Sequence, residues 1–229
     1  GTVALTDGPF MAGAGDFSIR VTGRGGHGAA PHEARDPIVA ASAIVTALQT
    51  IIRRLPPTET AVISVTSFQA GTAFNIIPPR AELRGTIRMF TSQVRDLLVT
   101  HMREVAQSVA AAHGCAAELE VQELTLPVVN DPATMQRLRG LFQRIRPDVQ
   151  QVTGYRTMLA EDMSYFLDAV PGAYFFVGSS NAERDLAYPH HHPRFDFDEA
   201  VIPLATELLA SAVASFVLPS YTMEDDTAG

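Results

Sequence analysis

Three of the seven histidines of this chain stand side by side, in Ala187-Tyr188-Pro189-His190-His191-His192-Pro193-Arg194-Phe195-Asp196-Phe197-Asp198-Glu199. Imidazole is the commonest side-chain metal ligand, and a nearby carboxylate can take its second N–H and fix the tautomer. A solvated loop is the bland alternative; the prolines on either side stiffen the segment and favour a site. A closed mononuclear or a dinuclear centre takes about three to five ligands. The chain has one cysteine and no second histidine cluster. The triplet therefore reads as one corner of a metal site.

Four other places could carry chemistry. His27 lies in Gly25-Gly26-His27-Gly28-Ala29-Ala30-Pro31-His32, where small residues let the backbone approach another molecule closely. A plain turn is the competing reading, and no P-loop lysine follows to make it a phosphate cradle. Asn75 places one amide inside the apolar run Phe74-Asn75-Ile76-Ile77-Pro78, either capping a turn or reaching a ligand. Arg84, Thr86 and Arg88 alternate along one strand face, as solvated charges or as a bidentate grip on a carboxylate. Glu161-Asp162 stand before Met163-Ser164-Tyr165-Phe166, where acids ordinarily complement a helix dipole. Cys115, at a helix-to-strand turn, reads as structural.

Composition narrows the classes. With 229 residues, 46% hydrophobic and 18% charged, the chain can bury a normal core in one large or two small domains. A net charge of −8 and a pI near 5.3 leave no basic stripe for nucleic acid. No apolar run is long enough to span a bilayer, so no membrane partner is expected. The lone cysteine suits a reducing compartment, and a cytoplasmic protein is the expectation.

The elements that must position these residues can be read in order. Asp16–Gly23 alternates as a strand. Asp36-Pro37 starts a helix whose Ile38, Ala41, Ile44, Leu48 and Ile51 recur at helical spacing and which should end before Pro56-Pro57. Thr60–Ser67 and Ala81–Met89 are strands, Ser92–His113 is a helix with Gly114 past its end, and Ala117–Gln122 is a fourth strand. The order β-α-β-β-α-β predicts a ferredoxin-like sandwich, one antiparallel sheet with both helices on one face. Beyond Leu126-Pro127 the pattern changes to a helix from Asp131 to about Ile145, a strand at Ala173–Gly178 and a helix from about Asp198 to Val217. The apolar run AYFFVG suits a strand buried on both faces of a parallel-type sheet, with Gly1–Leu5 as one neighbour.

The segments GRGGHGAAPHEARDP, SFQAGTAFNIIPPRAELRGTIR, AEDMSYF, PGAYFFVG and PHHHPRFDFDE, in this order, resemble the dinuclear-metal amidohydrolases and exopeptidases. That family includes hippurate hydrolase, aminoacylases, carboxypeptidase G-type enzymes and succinyl-diaminopimelate desuccinylase. The likeness is strongest to the hippurate hydrolase and indole-acetyl-amino-acid hydrolase branch, and it covers nearly the whole chain. It implies an α/β zinc-peptidase-like catalytic domain interrupted by a ferredoxin-like βαββαβ lid that dimerises. Residues 1–13 would end the N-terminal catalytic segment, 14–122 would form the lid, and 123–229 the C-terminal part of the catalytic domain.

The resemblance also implies roles. His191 matches a catalytic metal ligand, His192 a variable place and His190 one usually apolar. His27 matches the lid histidine that reaches the partner subunit's site and hydrogen-bonds the oxyanion. Asn75 would bind the substrate's carboxylate end, and Arg88 is the strand arginine expected to share in substrate binding. The expected cofactor is a pair of divalent ions (zinc, manganese, cobalt or nickel), and the expected substrate an N-acyl amino acid or small peptide. In this branch the other ligands (a cysteine, two histidines and a glutamate) and the catalytic glutamate precede the residue matching Gly1. The chain alone is therefore expected to be inactive. The alternative is a non-catalytic dimerisation module.

Overall fold

Two aspartates set the helix starts. In the computed structural model, which describes residues 1–218, Asp36 accepts a hydrogen bond from Ile38 N at 2.8 Å and Asp131 one from Thr134 N at 2.7 Å. Each stands before a proline whose fixed φ and missing N–H suit the first helical turn. The described chain divides into two compact units: Pro9–Val129 with Thr157–Ala169, and Gly1–Gly8 with Asn130–Arg156 and the residues from Val170 onward.

In the first unit, strands β1 (Gly13–Thr22), β2 (Ala61–Ala70), β3 (Arg80–Met89) and β4 (Ala116–Thr125) form one sheet in the order β2-β3-β1-β4, antiparallel throughout. Helices α1 (Pro37–Leu48) and α2 (Ser92–Ala112) cover one face. The sheet's alternation explains the core. Phe17, Ile19 and Val21 of β1 and Leu83, Ile87 and Met89 of β3 point inward, against Ile44 and Leu48 of α1 and Leu98 and Met102 of α2. This is the ferredoxin-like sandwich that the sequence predicts. Gly85 lets the Phe17 ring lie across β3, because an added Cβ would sit 2.5 Å from Phe17 Cζ and 2.1 Å from Ser64 O.

The helix read through Ile51 is shorter than expected. It stops at Leu48, and Ile51–Arg54 forms a separate 3₁₀ turn. Thr50 turns back on the helix end, its hydroxyl donating to Ala47 O at 2.7 Å and its N–H to the same oxygen at 3.0 Å. A third helix of this unit, α4 (Met163–Ala169), is tied down where the Tyr165 hydroxyl donates to Leu124 O at 3.0 Å.

The second unit packs α3 (Pro132–Ile145) and α5 (Val201–Val217) against three short strands. Val3–Ala4 lies between Gln151–Val152, parallel to it, and Phe176–Val177, antiparallel to it. Leu5, Met135, Phe142 and Leu208 are fully buried in this core. The run Ala173–Gly178 departs from expectation. Only Phe176–Val177 is strand, it is half-buried, and its pairing with the N-terminal strand is antiparallel. The fully buried Asn130 is the reason. Its side chain accepts from Tyr174 N at 2.6 Å and donates to Tyr174 O and Thr6 O, each at 2.9 Å. The backbone ahead of Phe176 is thereby bonded to a side chain instead of a neighbouring strand. No helix among the described residues is long and apolar enough to cross a membrane.

Candidate functional site

The glycine-rich loop does approach a neighbour closely, and the neighbour is the chain's own Asn75 segment. Gly26–His27 pairs antiparallel with Ile76–Ile77, His27 opposite Ile76, and Gly28 N donates to Asn75 O at 2.8 Å. A Cβ on Gly25 would sit 2.8 Å from Ile77 O, and one on Gly28 3.0 Å from Asn75 O. These two glycines are what allow the two backbones to lie this close. His27 and Asn75 are thus neighbours on one small ladder, both exposed.

The His27 ring is oriented by its own loop. Nδ1 accepts a hydrogen bond from Ala29 N at 3.0 Å. A nitrogen that accepts from an amide N–H is unprotonated, so the neutral ring carries its proton on Nε2. An exposed histidine held in this tautomer can present one N–H donor to an oxygen from outside.

Arg88 is not brought to this pair within the unit. The His27–Asn75 ladder lies at the Arg80 end of β3, where Gly23 N bonds Pro79 O at 3.0 Å. Arg88 is eight residues further along that strand, opposite Ala14, roughly 27 Å away at about 3.4 Å per residue. It sits on the helix-free face, donating to Thr86 Oγ1 and to Ile87 O at 3.0 Å, while Thr86 donates to Gly15 O at 3.0 Å. Arg84 on the same face pairs with Glu82 at 2.8 Å, so it is a surface ion pair. The Glu82 carboxylate, by hydrogen bond and charge, raises the Arg84 pKa.

In the second unit, His191 occupies a loop with its own internal order. The backbone of His191 is left-handed, with φ 67°, a conformation that a non-glycine residue adopts only when its surroundings impose it. Its neighbours supply those surroundings. His192 stacks on Tyr188 with centroids 4.6 Å apart, and Arg194 lies 4.4 Å from the centroid of the Tyr188 ring while pairing with Asp185. His190 meets Phe195 edge-on at 4.9 Å. His190 and His192 are therefore packing partners within the loop, and all three histidines are exposed.

Asp198 closes the loop at its base, a role the sequence reading missed by placing this residue at a helix start. Its carboxylate accepts from Asn181 Nδ2 at 2.6 Å, Arg184 at 2.7 Å and Ala200 N at 3.1 Å, and its own N–H reaches Ser179 O at 2.8 Å. The helix α5 begins only at Val201. The run Asp196-Phe197-Asp198-Glu199 holds three acids, and nothing in their spacing marks which one turns back to Asn181. The Asn181 hydrogen bond, followed by that of Ala200 N, holds the Asp198 carboxyl below its usual range.

Cys115 is half-buried, packed against the core of the first unit, and burial pushes its thiol pKa up, as suits a structural cysteine. Glu161 takes the Asp162 N–H at 3.1 Å and its carbonyl accepts from Ser164 N at 3.3 Å, which makes it a local cap ahead of α4. Among the described residues no three His, Cys, Asp or Glu side chains converge to hold a metal ion. An exposed imidazole has the right donor chemistry for such an ion, but alone it does not make a metal centre.

A depressed carboxyl stabilises the state that contains it at pH above its ordinary range, and that contribution is lost as pH falls through the lowered value. The base of the histidine loop should therefore loosen on acidification below the usual carboxylate range. Asp198→Asn should loosen it at neutral pH as well, seen as faster amide exchange over residues 185–195 than in the unaltered chain. Equal exchange in both proteins at neutral pH would show that the carboxylate does not hold the loop.

Known proteins resemble this chain over most of its length. Residues 12–114 match the model of a peptidase dimerisation domain. N-acetylcysteine deacetylase of Bacillus subtilis (strain 168) is 34% identical over 217 residues, covering 92% of this chain and 54% of that protein. Thermostable carboxypeptidase 2 of Saccharolobus solfataricus is 38% identical over 208 residues, covering 89% and 52%. The crystal structure of the Bacillus subtilis YXEP protein, described as a dinuclear metal binding peptidase from the M20 family, superposes with a TM-score of 0.77 at 30% identity, covering 95% of this chain and 53% of that one. The chain spans about half the length of the curated relatives it matches. From the glycine loop to the histidine loop, this chain belongs to the M20 family of amidohydrolases and peptidases, and its sheet unit is that family's dimerisation lid.

Proposed function

We propose that this chain is part of a metal-dependent amidohydrolase that cleaves the amide bond of N-acyl amino acids or small peptides. The observation that carries the reading is the His27–Asn75 ladder. It sets a histidine with a defined Nε2–H beside an exposed amide on one rigid backbone pair. His27 would donate that N–H to the carbonyl oxygen as it gains negative charge, and Asn75 would hold the carboxylate end of the substrate. Arg88, at the far end of β3, could reach a substrate only on another surface of the lid. In the whole enzyme a pair of divalent ions (zinc, manganese, cobalt or nickel) would supply the activated water, with His191 as the ligand that this chain offers.

A second copy of the chain is the proposed partner, and the charge pattern of the lid supports one side for it. Helix α1 and the edge strand β2 contain no Asp, Glu, Lys or Arg, and α1 packs over β2. Helix α2 and the opposite edge β4 carry Arg95, Asp96, Arg103, Glu104, Glu118, Glu120 and Glu123. Charges blunt a strand edge, whereas an uncharged β-branched edge is a template for pairing. Val39 on α1 is 51% exposed beside that edge. Two copies pairing β2 to β2 about a two-fold axis would bury both edges and both helices. A non-catalytic dimerisation module is the second reading, favoured by the match of residues 12–114 to a peptidase dimerisation domain.

Four measurements follow. With divalent metal added, the purified 229-residue chain should hydrolyse N-acyl amino acids no faster than background; robust metal-dependent turnover would show that it holds a complete site. In the enzyme expressed from its complete reading frame, His27→Ala should cut kcat by about 10²–10³, or about 2.7–4 kcal/mol of barrier. Mixing His27→Ala with His191→Ala subunits should restore activity if His27 serves its partner, and no recovery would place its action within its own subunit. The pair Val39→Lys and Thr66→Lys should shift the dimer to monomer in sedimentation, and a dimer of unchanged stability would move the interface elsewhere.

A further inference from the structure

Phe74 is the residue next to Asn75, and its side chain is entirely exposed, at 104% of the reference area. Ile76, on the other side of Asn75, is 57% exposed. A lone exposed aromatic needs no explanation on most surfaces. This one stands next to a backbone that is fixed on its C-terminal side. Asn75 O receives Gly28 N at 2.8 Å, and Ile76 pairs with His27. An apolar ring is thus held in water one residue from the amide and two residues from the partner of the histidine.

We propose that Phe74 is a specificity-determining residue of the lid, forming an apolar wall for the side chain of the amino-acid half of the substrate. The inference rests on the assignment of His27 and Asn75 given above. If Asn75 holds the α-carboxylate and His27 the scissile carbonyl oxygen, the side chain on the intervening carbon is the substrate group nearest a residue adjoining Asn75. An apolar ring there favours leucine- or phenylalanine-like side chains over glycine. It does not favour one acyl group over another. Because the ring touches none of the lid's core, its removal leaves the fold intact.

The test compares kcat/KM across N-acetyl-glycine, N-acetyl-alanine, N-acetyl-leucine and N-acetyl-phenylalanine, and across N-acetyl- and N-benzoyl-alanine, with enzyme from the complete reading frame. Phe74→Ala should lower the leucine-to-glycine preference by about tenfold or more, since an apolar pocket discriminates by about 10–200-fold for each methylene. Phe74→Leu should restore most of that preference, and the benzoyl-to-acetyl ratio should not change. A uniform fall over all substrates, with or without loss of the dimer in sedimentation, overturns the proposal, as does a change confined to the acyl series. If His27→Ala keeps full activity while Phe74→Ala still alters the side-chain series, the oxyanion assignment fails and the wall stands. If His27→Ala abolishes activity and Phe74→Ala alters nothing, only the wall fails. An enzyme that cleaves none of these substrates overturns both.

Discussion

The candidate site of the lid depends on one short backbone ladder, the pairing of Gly26–His27 with Ile76–Ile77 extended by the Gly28-to-Asn75 hydrogen bond. Neither segment is long enough to be a stable strand alone. Together they are held because glycines on one side remove the Cβ atoms that would push the backbones apart. Everything chemical about the lid follows from that closeness. It sets His27 opposite Ile76, one residue from Asn75, and it fixes the backbone that follows Phe74. The ferredoxin-like sheet beneath serves mainly as a rigid mount, with a core of inward β1 and β3 residues against two helices.

The histidine loop solves the same positioning problem by different means. Beyond the single Asn181–Leu186 bridge, the order there comes from side chains: a ring stack, a guanidinium over a tyrosine, and a carboxylate gathering the two ends. Side-chain networks of this kind are worth more when complete than their pairs suggest, and they fail as a group. A left-handed histidine is affordable only inside such a network.

How much could be read from the amino acids alone varied with the kind of signal. The lid's architecture was legible because its elements are long, periodic and punctuated, as by the Asp-Pro start at Asp36-Pro37. Its helix end was misjudged because Thr50, which turns the chain, carries no marker that separates it from an ordinary helical threonine. The nature of Ala173–Gly178 was misread because an apolar run says nothing about which polar side chain will take its backbone; Asn130 lies 44 residues from Tyr174. His27, Asn75 and His191 stood out through motif and composition. That the His27 and Asn75 segments pair, that Arg88 is at the far end of its strand, and that Asp198 closes the loop are facts of three-dimensional register, to which spacing along the chain is blind.

Asn130 has a consequence for the order in which the molecule can form. Its amide joins Thr6 O, 124 residues earlier, to Tyr174, 44 residues later. The unit built on it closes very long loops, so its formation carries a large entropic delay. On a ribosome it cannot assemble until Tyr174 has emerged. The four strands of the sheet, Gly13 to Thr125, are complete well before then. The lid is thus free to be the first part of the chain to acquire its native structure, and the unit bearing His191 must be the later one.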